Sequence, residues 1–569
     1  MAKPIIYQLI PRLFTNYCAS PVRNGSIIQN GSGKLNAITP EILKQIKALG
    51  VSHVWYTGVI EHAHVADYTR YGIKQSNPHV VKGRAGSPYA ITDYYDIDPD
   101  LSEDVEHRMQ EFEALVKRTH QAGMKVIIDF VPNHVGREYS SDAKPRGIRD
   151  LGEGDDTNMF FSPRNNFYYI TRQKFSPIEV NLGEGKEEYV EFPAKASGND
   201  CFTAYPGKCD WYDTVKLNYG VDPWNGEKRF DPIPPTWFKM LHILRYWAAK
   251  GVDGFRCDMA HMVPLEFWHW AISLVRDKYP QMIFIAEIYD VNLYRPFIEV
   301  GGFDYLYDKV TLYDTLFGID RNNVSAANIT SCWQSVEGIS SHMLNFLENH
   351  DEVRYASPFY AGDANKVIAP LVVSSMINTG AMMIYAGQEL GEDAAGEAGY
   401  SGNDGRTTIF DYWVIPTIQK WLNGGKCDSA LLSADELKLR DTYAKTLHIC
   451  KERAITEGDF FDLMYVNYDN PDFDPHKHYA FIRRYANTML LIAVNFGNTP
   501  DKVKVNIPQL VLDMYDVAPA KYRAKELISD QTSTISIDSA SPISLSLPAY
   551  GAVIWKFNFK NQSSKQKNI

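Results

Sequence analysis

Lys125-Val126-Ile127-Ile128-Asp129-Phe130-Val131-Pro132-Asn133-His134 decides the fold class of this 569-residue chain. An apolar run on consecutive positions marks a strand buried on both faces, as in a parallel sheet, and Pro132 cannot continue a hydrogen-bond ladder. Seven more runs of strand length share the pattern, at 7–14, 51–57, 254–258, 282–287, 303–307, 343–347 and 381–385. Helical segments lie between them. Thr39-Pro40 opens one that Gly50 closes, by the N-cap, first-turn proline and C-terminal glycine signals. Ser102 is expected to cap the next, which carries Val105, Met109, Phe112, Leu115 and Val116 on one face and ends at Gly123. Eight such strand–helix units predict an α/β fold, a (β/α)8 TIM barrel.

Two regions break the alternation. Residues 135–210 follow the third strand with Gly, Asn, Asp and aromatic clusters such as Asn165-Asn166-Phe167-Tyr168-Tyr169 and no clear crossover helix. A structureless loop of that length is uncommon, so the segment is expected to be an inserted domain on the catalytic face. After a helix near 434–452, strand-like runs return at 480–482, 489–494, 502–507 and 552–557, the pattern of a C-terminal antiparallel β-sandwich. The expected division is a barrel over 1–134 and 211–455, an inserted domain over 135–210 and a sandwich over 456–560. The polar residues from Lys560 onward are expected to fray.

With 58 Lys+Arg against 69 Asp+Glu the net charge is −11, which leaves no basic footprint for nucleic acid. The longest apolar stretch, 369–387, is interrupted by Ser374, Ser375, Asn378 and Gly380, and reads as a buried helix and strand rather than a membrane span. Seven cysteines without a C-x-x-C pair argue against a disulfide framework or a zinc site. The N-terminus lacks a signal peptide's apolar core and cleavage site, so the chain is expected to be cytoplasmic. The excess is in aromatics, 35 Tyr, 27 Phe and 11 Trp, which suit a sugar-binding cleft as well as ordinary core.

Polar residues at the C-terminal ends of barrel strands are where this fold places chemistry. Strand three ends in Asp129 to His134, strand four in Gly254-Phe255-Arg256-Cys257-Asp258, and strand five in Ile285-Ala286-Glu287. Strand seven runs into Glu348-Asn349-His350-Asp351. Far apart in sequence, these carboxylates converge at one barrel mouth. Glycoside hydrolysis wants such a set: one carboxylate as nucleophile, a protonated carboxyl as general acid, and a third to raise the acid's pKa and hold hydroxyls.

These four segments resemble the four signature regions of the α-amylase family of glycoside hydrolases. The likeness extends from Ile6-Tyr7-Gln8-Leu9-Ile10-Pro11-Arg12-Leu13-Phe14 to Leu547-Pro548-Ala549-Tyr550-Gly551. It implies Asp258 as nucleophile, Glu287 as acid/base and Asp351 as the carboxylate that grips and distorts the sugar. Arg256, on the same strand face as Asp258, is expected to orient the nucleophile and keep its pKa low. His134 and His350 are expected to hydrogen-bond that sugar, and Tyr89, in Ser87-Pro88-Tyr89-Ala90, to stack beneath it. Each residue also has a plainer reading: an ion pair with Arg256, a structural histidine, a core tyrosine. By strand alternation Cys257 faces away and packs.

The chain departs from the family pattern in two places. Where a Lys-His pair often follows the nucleophile, it has His261 and Met262, so leaving-side contacts are expected to be weak. Asn133 matches a family calcium ligand, but the acids of an N-terminal calcium loop are missing from 30–36. A structural calcium and a metal-free structural amide both remain open for Asn133; the chemistry itself calls for no cofactor. The activity expected is retaining hydrolysis of α-1,4-glucosidic bonds in maltooligosaccharides or starch fragments. A transglycosylase or glucan isomerase of the same family is the near alternative, and a catalytically inactive binding subunit the distant one.

Overall fold

The structure, a computed structural model, describes residues 3–177, 188–321, 324–396 and 402–562. Residues 178–187 of the expected insertion, and the end of the polar tail, lie outside these. Eight parallel strands close a barrel: β1 (Ile5–Leu9), β2 (His53–Tyr56), β3 (Lys125–Phe130), β4 (Gly254–Cys257), β5 (Ile283–Ala286), β6 (Tyr305–Tyr307), β7 (Met343–Asn345) and β8 (Ala381–Tyr385). Each pairs with its neighbours in sequence order, and β1 closes on β8 with Ile5 opposite Met382.

The first strand is shorter than its apolar run. Pro11 has no amide hydrogen to donate and starts a one-turn helix, Pro11–Phe14, so the strand stops at Leu9. That helix turns Arg12 inward, where its guanidinium bonds the carbonyl of Ala85 at 2.9 Å. Helix α1 (Pro40–Ala48) begins as expected, with Thr39 Oγ1 accepting from Ile42 N, and Gly50 behind it at φ +104°. Ser102 does not cap the next helix, α2 (Arg108–Gln121). It ends a short turn by donating to Pro99 O, and the capping passes to Asp104, whose Oδ1 accepts from Glu106 N at the start of a separate 3₁₀ turn. Two competing caps within three residues were not resolvable from local preference alone.

Between β3 and α3 (Pro235–Ala249) the chain forms two small antiparallel ribbons, His134–Gly136 with Thr214–Lys216 and Tyr169–Ile170 with Ala194–Lys195. A further ribbon, Ile60–His62 with Ile91–Ile97, projects from the connection after β2. The C-terminal region is a six-stranded antiparallel sheet facing a two-stranded one. Its strands over Ala520–Glu526, Thr532–Ile537 and Ile543–Leu547 alternate buried and exposed residues, which is why no continuous apolar run announces them. Arg483 fastens this sheet to the barrel, donating to Ala454 O, Ile455 O, Gly458 O and, across the junction, Ile377 O at 3.2 Å. No helix among the described residues is long and apolar enough to cross a membrane.

The barrel wall is stacked with aromatics. Phe255 lies between Phe130 at 6.2 Å and Phe284 at 5.8 Å, all three fully buried, on three adjacent strands. Phe255→Ala should therefore lower unfolding free energy by about 3–5 kcal/mol, the usual cost of deleting a buried ring. Denaturant unfolding followed by tryptophan fluorescence checks this; a loss under 1 kcal/mol would mean the wall repacks freely.

Candidate active site

Arg256 is the centre of the barrel mouth, fully buried on β4. Its Nη1 donates to Asp258 Oδ1 at 2.7 Å and lies 3.5 Å from Asp129 Oδ1. Nη2 lies 2.8 Å from Glu287 Oε1, close enough for an ion pair though not aligned for a hydrogen bond. Nε donates to the Tyr307 hydroxyl at 3.2 Å. Rings of Trp55, Tyr89 and Tyr307 surround the guanidinium carbon at 5.3–5.5 Å, a cation–π box. Strand pleat explains the convergence: Arg256 and Asp258 are two apart and share a side, while Cys257 faces the other way and is buried, its thiol pushed up by burial.

Asp258 and Glu287 are also joined through backbone. Met259 sits at φ +44°, a left-handed conformation that non-glycine residues seldom take, and its N–H donates to Glu287 Oε2 at 2.8 Å. Tyr289 donates to Glu287 Oε1 at 2.6 Å. The arrangement corrects one expectation. Burial and the neighbouring Glu287 push Asp258 above the usual carboxylate range, and Arg256, though it pulls the other way, does not reverse the shift.

The histidines flank this pair. His134 Nε2 is 3.9 Å from Asp258 Oδ2, its ring 5.2 Å from that of Trp211. His350 Nδ1 accepts from the Gln8 amide at 2.7 Å, which leaves Nε2 to face Asp351 Oδ2 at 3.1 Å and the Tyr89 hydroxyl. Asn349 shapes that turn, its Oδ1 accepting from Asp351 N and Glu352 N. Asp351 is the open member of the trio, its side chain 34% exposed against 8% for Asp258 and 4% for Glu287. Tyr89 borders Arg256 and His350, and its hydroxyl lies 3.4 Å from Asp129 Oδ1. His261 is half-buried on the other side, with Nδ1 3.5 Å from Glu287 O and its ring 6.2 Å from Tyr289. It thus borders Glu287 rather than the helix holding Phe267 and Trp268, where Trp268 instead donates to Ala260 O.

All eight expected site residues other than Asn133 therefore gather at one mouth. Five partners went unassigned in the sequence: Asp129, Trp55, Tyr307, Tyr289 and Gln8. Asp129 stood in the quoted stretch and carries the strongest signal; its Oδ2 accepts from Trp55 at 3.0 Å, and burial raises it to about 6. Tyr289, two residues after Glu287, had a spacing signal; Gln8 and Trp55 had none beyond lying on barrel strands.

The calcium considered at Asn133 does not fit. The Asn133 amide oxygen accepts from Lys216 Nζ, which also pairs with Asp200 Oδ1 at 2.7 Å and approaches Met262 O at 3.3 Å. A buried ammonium thus stands where a dication would need those oxygens, and charge repulsion excludes both at once.

A parallel eight-stranded barrel with three carboxylates on one buried arginine at its C-terminal mouth belongs to the class of glycoside-hydrolase barrels. The family model for the α-amylase catalytic domain matches residues 8–178 and 235–413, and the chain belongs to the α-amylase family. It is 23% identical over 543 residues to the α-amylase MalA of Haloarcula japonica, covering 94% of this chain and 61% of that protein. It is 20% identical over 509 residues to a cyclomaltodextrinase of Geobacillus thermopakistaniensis, covering 88% and 69%. The structure of a Geobacillus thermoleovorans α-amylase complexed with acarbose shares the fold at a TM-score of 0.63 and 18% identity, over 98% of this chain and 99% of that one.

Desolvation lowers His134 to about 3 and His350 to about 4. Both rings should stay neutral down to pH 5. Nitrogen-15 NMR of labelled imidazoles reads this directly; protonation of either ring at pH 6 would contradict the burial described.

Proposed function

We propose that the chain is a retaining glycoside hydrolase of α-1,4-glucosidic bonds in maltooligosaccharides or starch fragments. Asp258 attacks the anomeric carbon, forming a covalent glucosyl-Asp258 ester as the bond to the leaving oxygen breaks. Glu287 gives that oxygen a proton, then takes one from the incoming water. The observation that carries the reading is the single Arg256 guanidinium held between Asp258 and Glu287. Two carboxyls sharing one guanidinium suit the ~5–5.5 Å spacing of a retaining pair better than the ~6.5–9.5 Å that leaves room for water in an inverting one.

The other residues follow from their surroundings. Asp351, open to the cleft, binds hydroxyls of the sugar at the cleavage point in this reading. Neutral His134 and His350 present N–H donors toward the same space, and Tyr89 offers a ring face beside them. Tyr289 positions the acid. The substrate class rests on family membership and on the names of relatives: MalA is an α-amylase, and another relative a cyclomaltodextrinase. Transfer to a sugar acceptor in place of water uses the same intermediate and is the second reading. Seven unpaired cysteines support work in a reducing compartment.

Incubation with maltoheptaose, read by chromatography and proton NMR, tests the proposal. Shorter sugars released first as the α-anomer are expected, and first release of the β-anomer would end the double-displacement reading. Longer products would favour transfer. Asp258→Asn should abolish turnover with the fold retained. Glu287→Gln should lose far more activity on maltooligosaccharides than on α-glucosyl fluoride, whose leaving group needs little protonation; equal losses would remove Glu287 from the acid role.

A further expectation concerns chain length. His261, beside Glu287 and Tyr289, offers one donor where a lysine would offer three, and Met262 offers none. His261→Ala should cost about 1 kcal/mol in kcat/KM, the scale of one hydrogen bond, on substrates long enough to reach the leaving side. Kinetics over maltotriose to maltoheptaose check this; a flat response places His261 outside the substrate site.

A further inference from the structure

The ribbon of Ile60–His62 and Ile91–Ile97 carries a second group of carboxylates that the reaction does not use. Glu61, Asp96 and Asp142 each bring one oxygen within 4.8 Å of the other two. The ribbon's register shifts on both sides of Glu61, and such a bulge lets residues at different points of the facing strand turn toward one side chain. Asp93, opposite Glu61, is saturated. Its Oδ1 accepts from Tyr95 N and Ser141 Oγ, and its Oδ2 from Asp142 N at 2.9 Å and Ala143 N at 3.0 Å. It pins the loop that presents Asp142.

Glu61 is different. Its Oε1 accepts from Thr92 Oγ1 at 3.0 Å, but Oε2 has no hydrogen-bond partner among the described residues, in a side chain only 4% exposed. A buried carboxylate oxygen without a partner is costly, and it needs a proton or a cation beside it. Asp96 is engaged on both oxygens, Oδ1 by Ile97 N and Oδ2 by Arg108. Arg108 brings one positive charge to four carboxylates.

We propose that Glu61, Asp96 and Asp142 form a binding site for a divalent cation of the calcium class, tying the ribbon to the segment that leads into the insertion. Oxygen-only donors select a hard cation over zinc or copper, and an irregular carboxylate set suits calcium better than magnesium, which demands near-octahedral geometry. Asp142 is exposed and gives the ion a path from solvent. The site is separate from Asn133, where Lys216 already supplies the positive charge.

The test uses the full chain, stripped with EDTA and titrated with calcium chloride by calorimetry, with magnesium chloride as a second arm. Calcium should bind and raise Tm by several degrees, with magnesium at least tenfold weaker. Asp142→Asn, at the surface and outside the catalytic mouth, should keep the fold by circular dichroism yet bind calcium at least tenfold more weakly. Glu61→Gln should lose the calcium-dependent rise in Tm and, in EDTA, be at least as stable as the parent. Failure of calcium to bind, unchanged affinity in Asp142→Asn, or magnesium binding as tightly would each overturn the assignment. None of these readouts depends on the glycosidase activity.

Discussion

A guanidinium that never reaches water organises this protein. Arg256 is fully buried at the barrel mouth, and an unpaired charge there would be prohibitive. It is tolerated because Asp129, Asp258 and Glu287 converge on it from β3 and the ends of β4 and β5, and because three aromatic rings line the remaining directions. The dependence is mutual. Three carboxylates this close would repel one another strongly without the cation. Asp258 is driven upward by burial and by Glu287, while Arg256 opposes both.

That balance requires a rigid frame, which the barrel supplies. The strands that carry Asp129, Arg256 and Ala286 are neighbours in register, with Arg256 opposite Asp129 on one side and Ile285 on the other. Registration of strands thus becomes registration of charges. Beyond the first ring of contacts, Gln8 on β1 orients His350, Trp55 on β2 holds Asp129, and Tyr307 on β6 meets Arg256. A barrel with all strands parallel delivers these side chains to one end, which explains how residues hundreds of positions apart form one site. The C-terminal sheet is fastened to the barrel by Arg483, and by Asp462, whose Oδ2 accepts from Thr330, Trp333 and Tyr479.

Positive charge is handled in two ways around the inserted segment. At Asn133 the chain provides its own ammonium, Lys216, bonded to Asn133 and Asp200 and reaching Met262 O in the loop after Asp258. An ammonium attached to the backbone cannot dissociate as a bound ion can. On the neighbouring ribbon the carboxylates outnumber the single Arg108, and the joint there is open to an external cation.

Much of this was legible in the sequence because the signals were local. The barrel strands are consecutive apolar runs, since both faces of a parallel strand are buried, and Asp258, Glu287 and Asp351 stand at strand ends where motif spacing marks them. The cap at Thr39 and the break at Gly50 follow from single-residue chemistry. What the sequence left undecided depended on partners distant along the chain. The cap at Asp104 rather than Ser102 was chosen by a neighbouring turn, and strands over Ala520–Glu526 and Thr532–Ile537 hid their burial in alternation. Nothing local to Lys216 says that its ammonium will bond Asn133, 83 residues away, and nothing local to Glu61 says that it will face Asp142. The net upward shift of Asp258 likewise comes from burial and from a carboxylate supplied by another strand. Local chemistry fixes which residues can react and where strands begin and end; the summed field of charges brought together by folding decides which of them hold protons, and which need a cation.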